Sequence, residues 1–130
     1  MKNIIFFTTK YLFYFSLIIL LILYLFPGSL IGYFLYGNLG TQPDFISNPI
    51  GTSINHLIFF FYFSILGFIF RSNQKKFINS FSFLFLISII LELLHYFIPN
   101  RAFELNDLYA NSSGVLLTYL IFKLFRKNRN

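Results

Sequence analysis

The chain has no cysteine, no tryptophan and only four acidic residues among its 130 positions. Without cysteine it forms neither a disulfide framework nor a thiolate zinc site, and the redox state of its compartment leaves no mark on it. The scarcity of charge is more telling. Charged residues make up 11% of the chain, less than half of the ~25% usual in a soluble domain. A soluble core of this size would not use apolar runs so long and so unbroken. What fills the chain instead is 57% hydrophobic and 23% aromatic, with 21 phenylalanines. It reads as an integral membrane protein.

Four apolar segments stand out: 4–26, notched by Thr8, Thr9 and Lys10, then 54–70, 77–98 and 108–125. At ~1.5 Å rise per residue they extend roughly 26 to 34 Å, which matches a hydrocarbon core of ~30 Å. Pro27-Gly28 closes the first, "RSNQKK" separates the second from the third, and Pro99-Asn100 stops the third. A chain in lipid must satisfy its own backbone hydrogen bonds, and no alternation of polar and apolar residues marks a barrel. The expected fold is therefore all-α, an integral membrane four-helix bundle, with 1–130 as one domain and no internal repeat. The first segment reads as a retained anchor. Its apolar stretch from Tyr11 to Phe26 is at the long end for a signal peptide, and no small-x-small cleavage site follows it.

Basic residues set the expected orientation, because they lie where the positive-inside rule applies. Lys2 and Lys10 begin the first segment, Arg71, Lys75 and Lys76 separate the second from the third, and Lys123, Arg126, Lys127 and Arg129 close the chain. Only Arg101 falls on the other side. Both termini are expected in the cytoplasm of a multi-pass cell-membrane protein, with the acids Asp44, Glu92, Glu104 and Asp107 on or near the outer face. The net charge of +6 then reflects topology and attraction of the basic tail to anionic lipid headgroups. Nucleic acid is not an expected partner.

The polar residues gather in one stretch, "ELLHYFIPNRAFELNDLYANSSG", from Glu92 to Gly114. Glu92 and His95 stand ~60° apart around a helix and share a face. Asp107, Asn111 and Gly114 fall within a stripe about 60° wide at ~100° per residue. The preceding segment enters from the same side with Asn55 and His56 in its first turn. Each residue also has a plainer reading. Glu92 is too deep to face lipid cheaply, but His56 and His95 suit a membrane interface. Asp107 suits the first turn of a helix, where it complements the dipole. Asn111 and Gly114 suit close helix packing, Arg101 a headgroup anchor and Glu104 a solvated loop.

Glu92, His95, Pro99, Arg101, Phe103, Asp107, Asn111 and Gly114 together resemble the signature of the VanZ-like membrane family: Glu, two residues, usually Gln, a Pro-Arg loop, Asp, three residues, Asn, two residues, Gly. His56 and the apolar run after it resemble the family's earlier histidine at the head of a span. Two departures from the pattern stand out: His95 stands where Gln is usual, and Thr52-Ser53 stand where Asp-Lys usually precedes the histidine. The resemblance implies a small integral membrane protein, from a family whose named member is associated with low-level tolerance of the glycopeptide teicoplanin.

Two functions fit. In one, the residues form a site at the outer membrane face that acts on or binds a lipid or a lipid-linked cell-envelope component. Glu92, His95 and Asp107 are then the candidates for catalytic work, with Glu92 as general acid or base. Arg101, Asn111, His56 and Gly114 are the candidates for holding substrate, Arg101 through a two-pronged contact to phosphate or carboxylate. Whether a reaction is catalysed stays open; Ser112 and Ser113 in "NSSG" form no recognised nucleophile elbow. In the other, a non-enzymatic membrane interaction or assembly protein uses the same cluster as a helix clamp. Glu92-x-x-His95 also has the spacing of half a di-metal carboxylate motif. Only one copy is present; His56 and Asp107 could supply further ligands for a single ion, but with Gln usual at the position of His95 no metal and no cofactor is expected.

Overall fold

The computed structural model describes residues 2–43, 53–72 and 77–127. They form five helices and no strand: α1 (Lys2–Leu25), α2 (Leu30–Tyr36), α3 (Ser53–Ser72), α4 (Phe77–Leu94) and α5 (Leu105–Lys127). The fold is an all-α bundle, as the apolar segments predict. Asp44, Thr52, Lys75, Lys76 and Arg129 lie outside the described residues.

Among the described residues, three stretches are long and apolar enough to cross a membrane: Asn3–Leu25, Ser53–Phe70 and Leu105–Arg126. The third expected segment contributes a shorter apolar stretch, Ser80–Leu94. It ends before Ile98 for a local reason. Pro99 has no N–H to give and disfavours helical geometry at Ile98. The chain already tightens before it, with His95, Tyr96 and Phe97 each donating its N–H three residues back, to Glu92, Leu93 and Leu94. Arg101 N–H then reaches Ile98 O at 3.2 Å across Pro99 and Asn100. Asn100 has φ 59°, so a proline followed by a left-handed residue gives type II turn chemistry.

α3 is the central helix, packed against α1, α4 and α5. Contacts at the two ends fix how the helices run. Phe6 of α1 meets Phe70 of α3, and Phe81 of α4 meets Tyr119 of α5. At the opposite end Tyr24 of α1 meets His56 of α3 and Asn111 of α5. The four long helices therefore alternate in direction. That places the C-terminal ends of α1 and α4 beside the N-terminal ends of α3 and α5.

Phenylalanine fills the interior, with Phe60, Phe63 and Phe68 wholly buried and Phe13 stacked on Phe63 at 4.9 Å. Where side chains must give way, glycine and hydroxyl residues stand. A Cβ on Gly114 would lie 2.7 Å from Leu57 O and 2.8 Å from Phe61 N, so α5 rests directly on the α3 backbone there. One turn on, Thr118 donates to Phe61 O at 3.2 Å or to Gly114 O at 3.0 Å. Large apolar side chains such as Phe15, Ile18, Leu86 and Leu124 are exposed on the outside of the bundle, as they are when the surrounding solvent is lipid.

The segment between α1 and α3 holds a helix that the sequence reading leaves unassigned. Ser29 caps α2 by accepting the Gly32 N–H at 2.9 Å, and Gly37 ends it at φ 68°. A Cβ on Gly32 would fall on the carbonyl of Thr41, which packs this short helix against the chain that follows it. Ile31, Tyr33, Phe34, Leu35 and Tyr36 are left exposed, the character of a segment lying in the membrane interface.

Candidate functional site

The ends of α1, α3, α4 and α5 that meet at one level carry a buried polar network. Glu92 and Asn111 are 0% exposed, and His56, His95, Asp107 and Tyr24 are all under 9%. Each arrives by helical spacing. Glu92 occupies the last turn of α4, and His95 follows one turn later with its Nδ1 3.2 Å from Glu92 Oε1. The same oxygen accepts the backbone N–H of Glu104 at 3.3 Å, tying the connection back to α4. On α5, Asp107, Asn111, Gly114 and Thr118 make a single buried stripe facing α3.

The hydrogen bonds can be assigned donor by donor. Asn111 donates its amide to Glu92 Oε2 at 3.3 Å, which leaves Asn111 Oδ1 as an acceptor. Tyr24 gives its one hydroxyl proton to that oxygen at 2.9 Å. The Tyr24 oxygen can then only accept, so His56 Nδ1, 2.7 Å away, carries a proton. His56 Nε2 points the other way, 3.4 Å from Asp107 Oδ2 and 3.4 Å from the Gln42 amide. The other oxygen of Asp107 accepts from Ser53 at 2.5 Å. Ser53 is one of the residues at which the chain departs from the family pattern, and from there it donates to the acid of α5.

Arg101 behaves otherwise than its sequence position predicts. As the one basic residue expected among outer acids, it should pair with them. Instead its Nε donates to Phe26 O at 3.3 Å and an Nη to Leu23 O, and it makes no ion pair with Glu92 or Asp107. The C-terminal carbonyls of α1 have no intrahelical partners and carry the negative end of the dipole, so a planar cation caps them well. Partial burial draws the Arg101 guanidinium below its ordinary value, opposed by the negative potential of Glu92 and Asp107.

Beside the network lies a partly open cavity of about 190 Å³, with His56, His95, Arg101, Glu104, Asp107 and Gln42 in its wall. Of the candidates for catalysis or binding, His56, His95, Arg101 and Asp107 reach it. Glu92 and Asn111 sit behind the histidines and act on the cavity through them. Gly114 is not at the cavity; its place is the close approach of α5 to α3. Among the described residues three buried side-chain atoms lack a partner, Asn55 Oδ1, Ser64 Oγ and His95 Nε2, and of these residues His95 is the one that lines the cavity. A buried polar atom of this kind is costly unless a ligand or water reaches it.

Sequence reasoning missed Tyr24, Ser53 and Gln42. Tyr24 gives no signal of its own, because a tyrosine near the end of an apolar span reads as an interfacial aromatic. Only the packing of α1 shows its hydroxyl inside, its ring stacked on His95 with centroids 5.1 Å apart.

No curated protein and no solved structure matches the chain. The resemblance carried by the Glu92–Gly114 signature is nonetheless borne out over nearly all of the sequence: the VanZ/LLP1 family model matches residues 1–126, and the chain is a membrane protein belonging to that family.

Proposed function

We propose that this VanZ/LLP1 protein binds or acts on a lipid-linked cell-envelope component through the polar cavity, and that the cavity opens at the outer face of the cell membrane. The observation that carries the reading is a cavity wall that brings together His56, His95, Arg101 and Asp107, with the Nε2 of His95 left unpartnered. A cavity of about 190 Å³ is below the ~300 Å³ of a pocket that encloses a whole small molecule. It suits one head-group moiety, whose lipid chain stays outside in the bilayer. Exposed Tyr96 and Phe97, beside the turn that carries Arg101, give that chain an apolar surface to follow. Four crossings with both termini inside would put the basic end of the bundle on the cytoplasmic side, as the distribution of Lys and Arg requires.

In this arrangement His95 and Asp107 are the groups that meet the ligand. Glu92 holds His95 in the tautomer with its proton on Nδ1, which leaves Nε2 able to accept a proton or a hydrogen bond. Tolerance of teicoplanin, the association attached to the family's named member, is the phenotype in which to read the site. Substituting Glu92→Gln or His95→Ala should abolish any change in teicoplanin susceptibility conferred by the protein, while the purified variants keep most of their thermal stability. Parallel loss of phenotype and stability would favour the second reading. In that reading the network is a helix clamp in a non-enzymatic interaction protein, a role for which the Arg101 contacts to α1 already argue.

A further inference from the structure

The sequence reading expects no metal although His56 and Asp107 could join Glu92-x-x-His95 in a single-ion site, and in the structure His95 Nδ1 turns inward onto Glu92 itself. The geometry points to a different ligand set, and we propose that His56, Asp107 and Glu92 bind one divalent first-row transition-metal ion, of the zinc or manganese kind. One ring nitrogen of His56 and one oxygen from each carboxylate lie within 4.8 Å of one another, and all three residues are buried. His56 and Asp107 come from the first turns of α3 and α5, and Glu92 from the last turn of α4. The trio therefore closes only when those three helices pack.

Proton placement supports the assignment independently. The chain from Asn111 through Tyr24 puts a proton on His56 Nδ1, so a neutral His56 presents the Nε2 lone pair to Asp107 Oδ2 at 3.4 Å. Two acceptors at that distance repel unless a proton or a metal cation lies between them, and a metal cation can serve both at once. The separation is also what two ligands of a tetrahedral ion adopt, ~3.3 Å for metal–ligand bonds of about 2.0–2.1 Å. Tyr24 and Asn111 supply the outer partners that orient a metal-bound imidazole through its other nitrogen. Charge points the same way. Glu92 and Asp107 are buried, and the groups that pair with them are the histidines His56 and His95, not Arg101, which caps α1. Buried carboxylates are paired or coordinate a metal. One nitrogen and two oxygens suit zinc, manganese or iron(II) better than magnesium or calcium, whose ligands are oxygen alone.

The inference stands on the ligand geometry and not on which head group enters the cavity, so its test contains no lipid. The full-length protein is purified in detergent, stripped with a chelator and dialysed against Zn(II) or Mn(II), with Mg(II) as control. Elemental analysis should give about one zinc or manganese ion per chain and retention of neither the control ion nor a second equivalent. His56→Gln and Asp107→Asn should lose the ion, whereas Glu104→Gln, which removes a cavity charge outside the trio, should keep it. Well below one ion per folded chain, or equal retention by His56→Gln and Asp107→Asn, would overturn the site. Should those variants fail to fold, the wild type decides alone. Electron spin-echo spectroscopy of bound Mn(II) should show coupling to an imidazole nitrogen, and its absence would overturn the proposal.

Discussion

Replacing Tyr24 with phenylalanine removes one buried hydroxyl and almost nothing else. The stack on His95, 5.1 Å between centroids at 18°, and the edge contact with Phe60 at 5.9 Å both survive in a phenyl ring. Two hydrogen bonds vanish, to Asn111 Oδ1 and from His56 Nδ1. The partners are not stranded, however, because His56 Nδ1 lies 3.2 Å from Asn111 Oδ1 and can donate to it directly. The net loss is then one bond's worth rather than two. Buried hydrogen bonds contribute about 0.5–1.5 kcal/mol, and those between membrane helices average ~0.6 kcal/mol. Tyr24→Phe should therefore cost about 1 kcal/mol, measured by reversible unfolding in mixed micelles. Asn111→Ala strips the acceptor from Tyr24 and the donor from Glu92, and should cost roughly 3 kcal/mol. The double variant should fall short of the sum, since each single change already breaks the Tyr24–Asn111 bond. A cost above about 2.5 kcal/mol for Tyr24→Phe would show that His56 does not re-pair. Strict additivity would show that the hydroxyl is not in the network at all.

Arg101→Lys should destabilise the protein by about 1–2 kcal/mol in the same assay, because one ammonium cannot reproduce a planar contact to two carbonyls at the C-terminal end of α1 and just past it. Gly114→Ala drives a methyl group to 2.7 Å from Leu57 O and should push α5 off α3, at a cost of about 1–3 kcal/mol with no change in the head-group preference of whatever protein still folds. In whole cells of this cysteine-free protein, a cysteine at Glu104 should react with a membrane-impermeant reagent and one at Arg126 should not. The reverse pattern would invert the orientation and move the cavity to the cytoplasmic side.

How far the sequence foretells this arrangement depends on whether a residue's environment is set by its own helix. The spacing of Asp107, Asn111 and Gly114 puts them on one stripe whatever the neighbours do, and α5 shows that stripe with Thr118 extending it. The Glu92–His95 pair is local for the same reason. Arg101 is not local. Charge counting pairs it with the acids, but the open carbonyls at the end of α1 compete for it, and a backbone acceptor leaves no trace in the pattern of side chains. Tyr24 and Ser53 were illegible because their partners lie on other helices. The early end of α4 reflects a proline acting four residues upstream of itself, through turns that tighten before it.

Lipid binding to the purified protein tests the central claim most directly. Wild-type protein in nanodiscs, offered a polyprenyl phosphate alongside phosphatidylcholine and phosphatidylglycerol, should retain the polyprenyl phosphate selectively in native mass spectrometry. Gln42→Leu and His95→Ala change the cavity wall without touching the α3–α5 contact, and each should reduce that retention at least tenfold while leaving the protein folded. Retention that follows only lipid charge, unchanged by either substitution, would contradict a head-group site and leave the polar network as a clamp between helices.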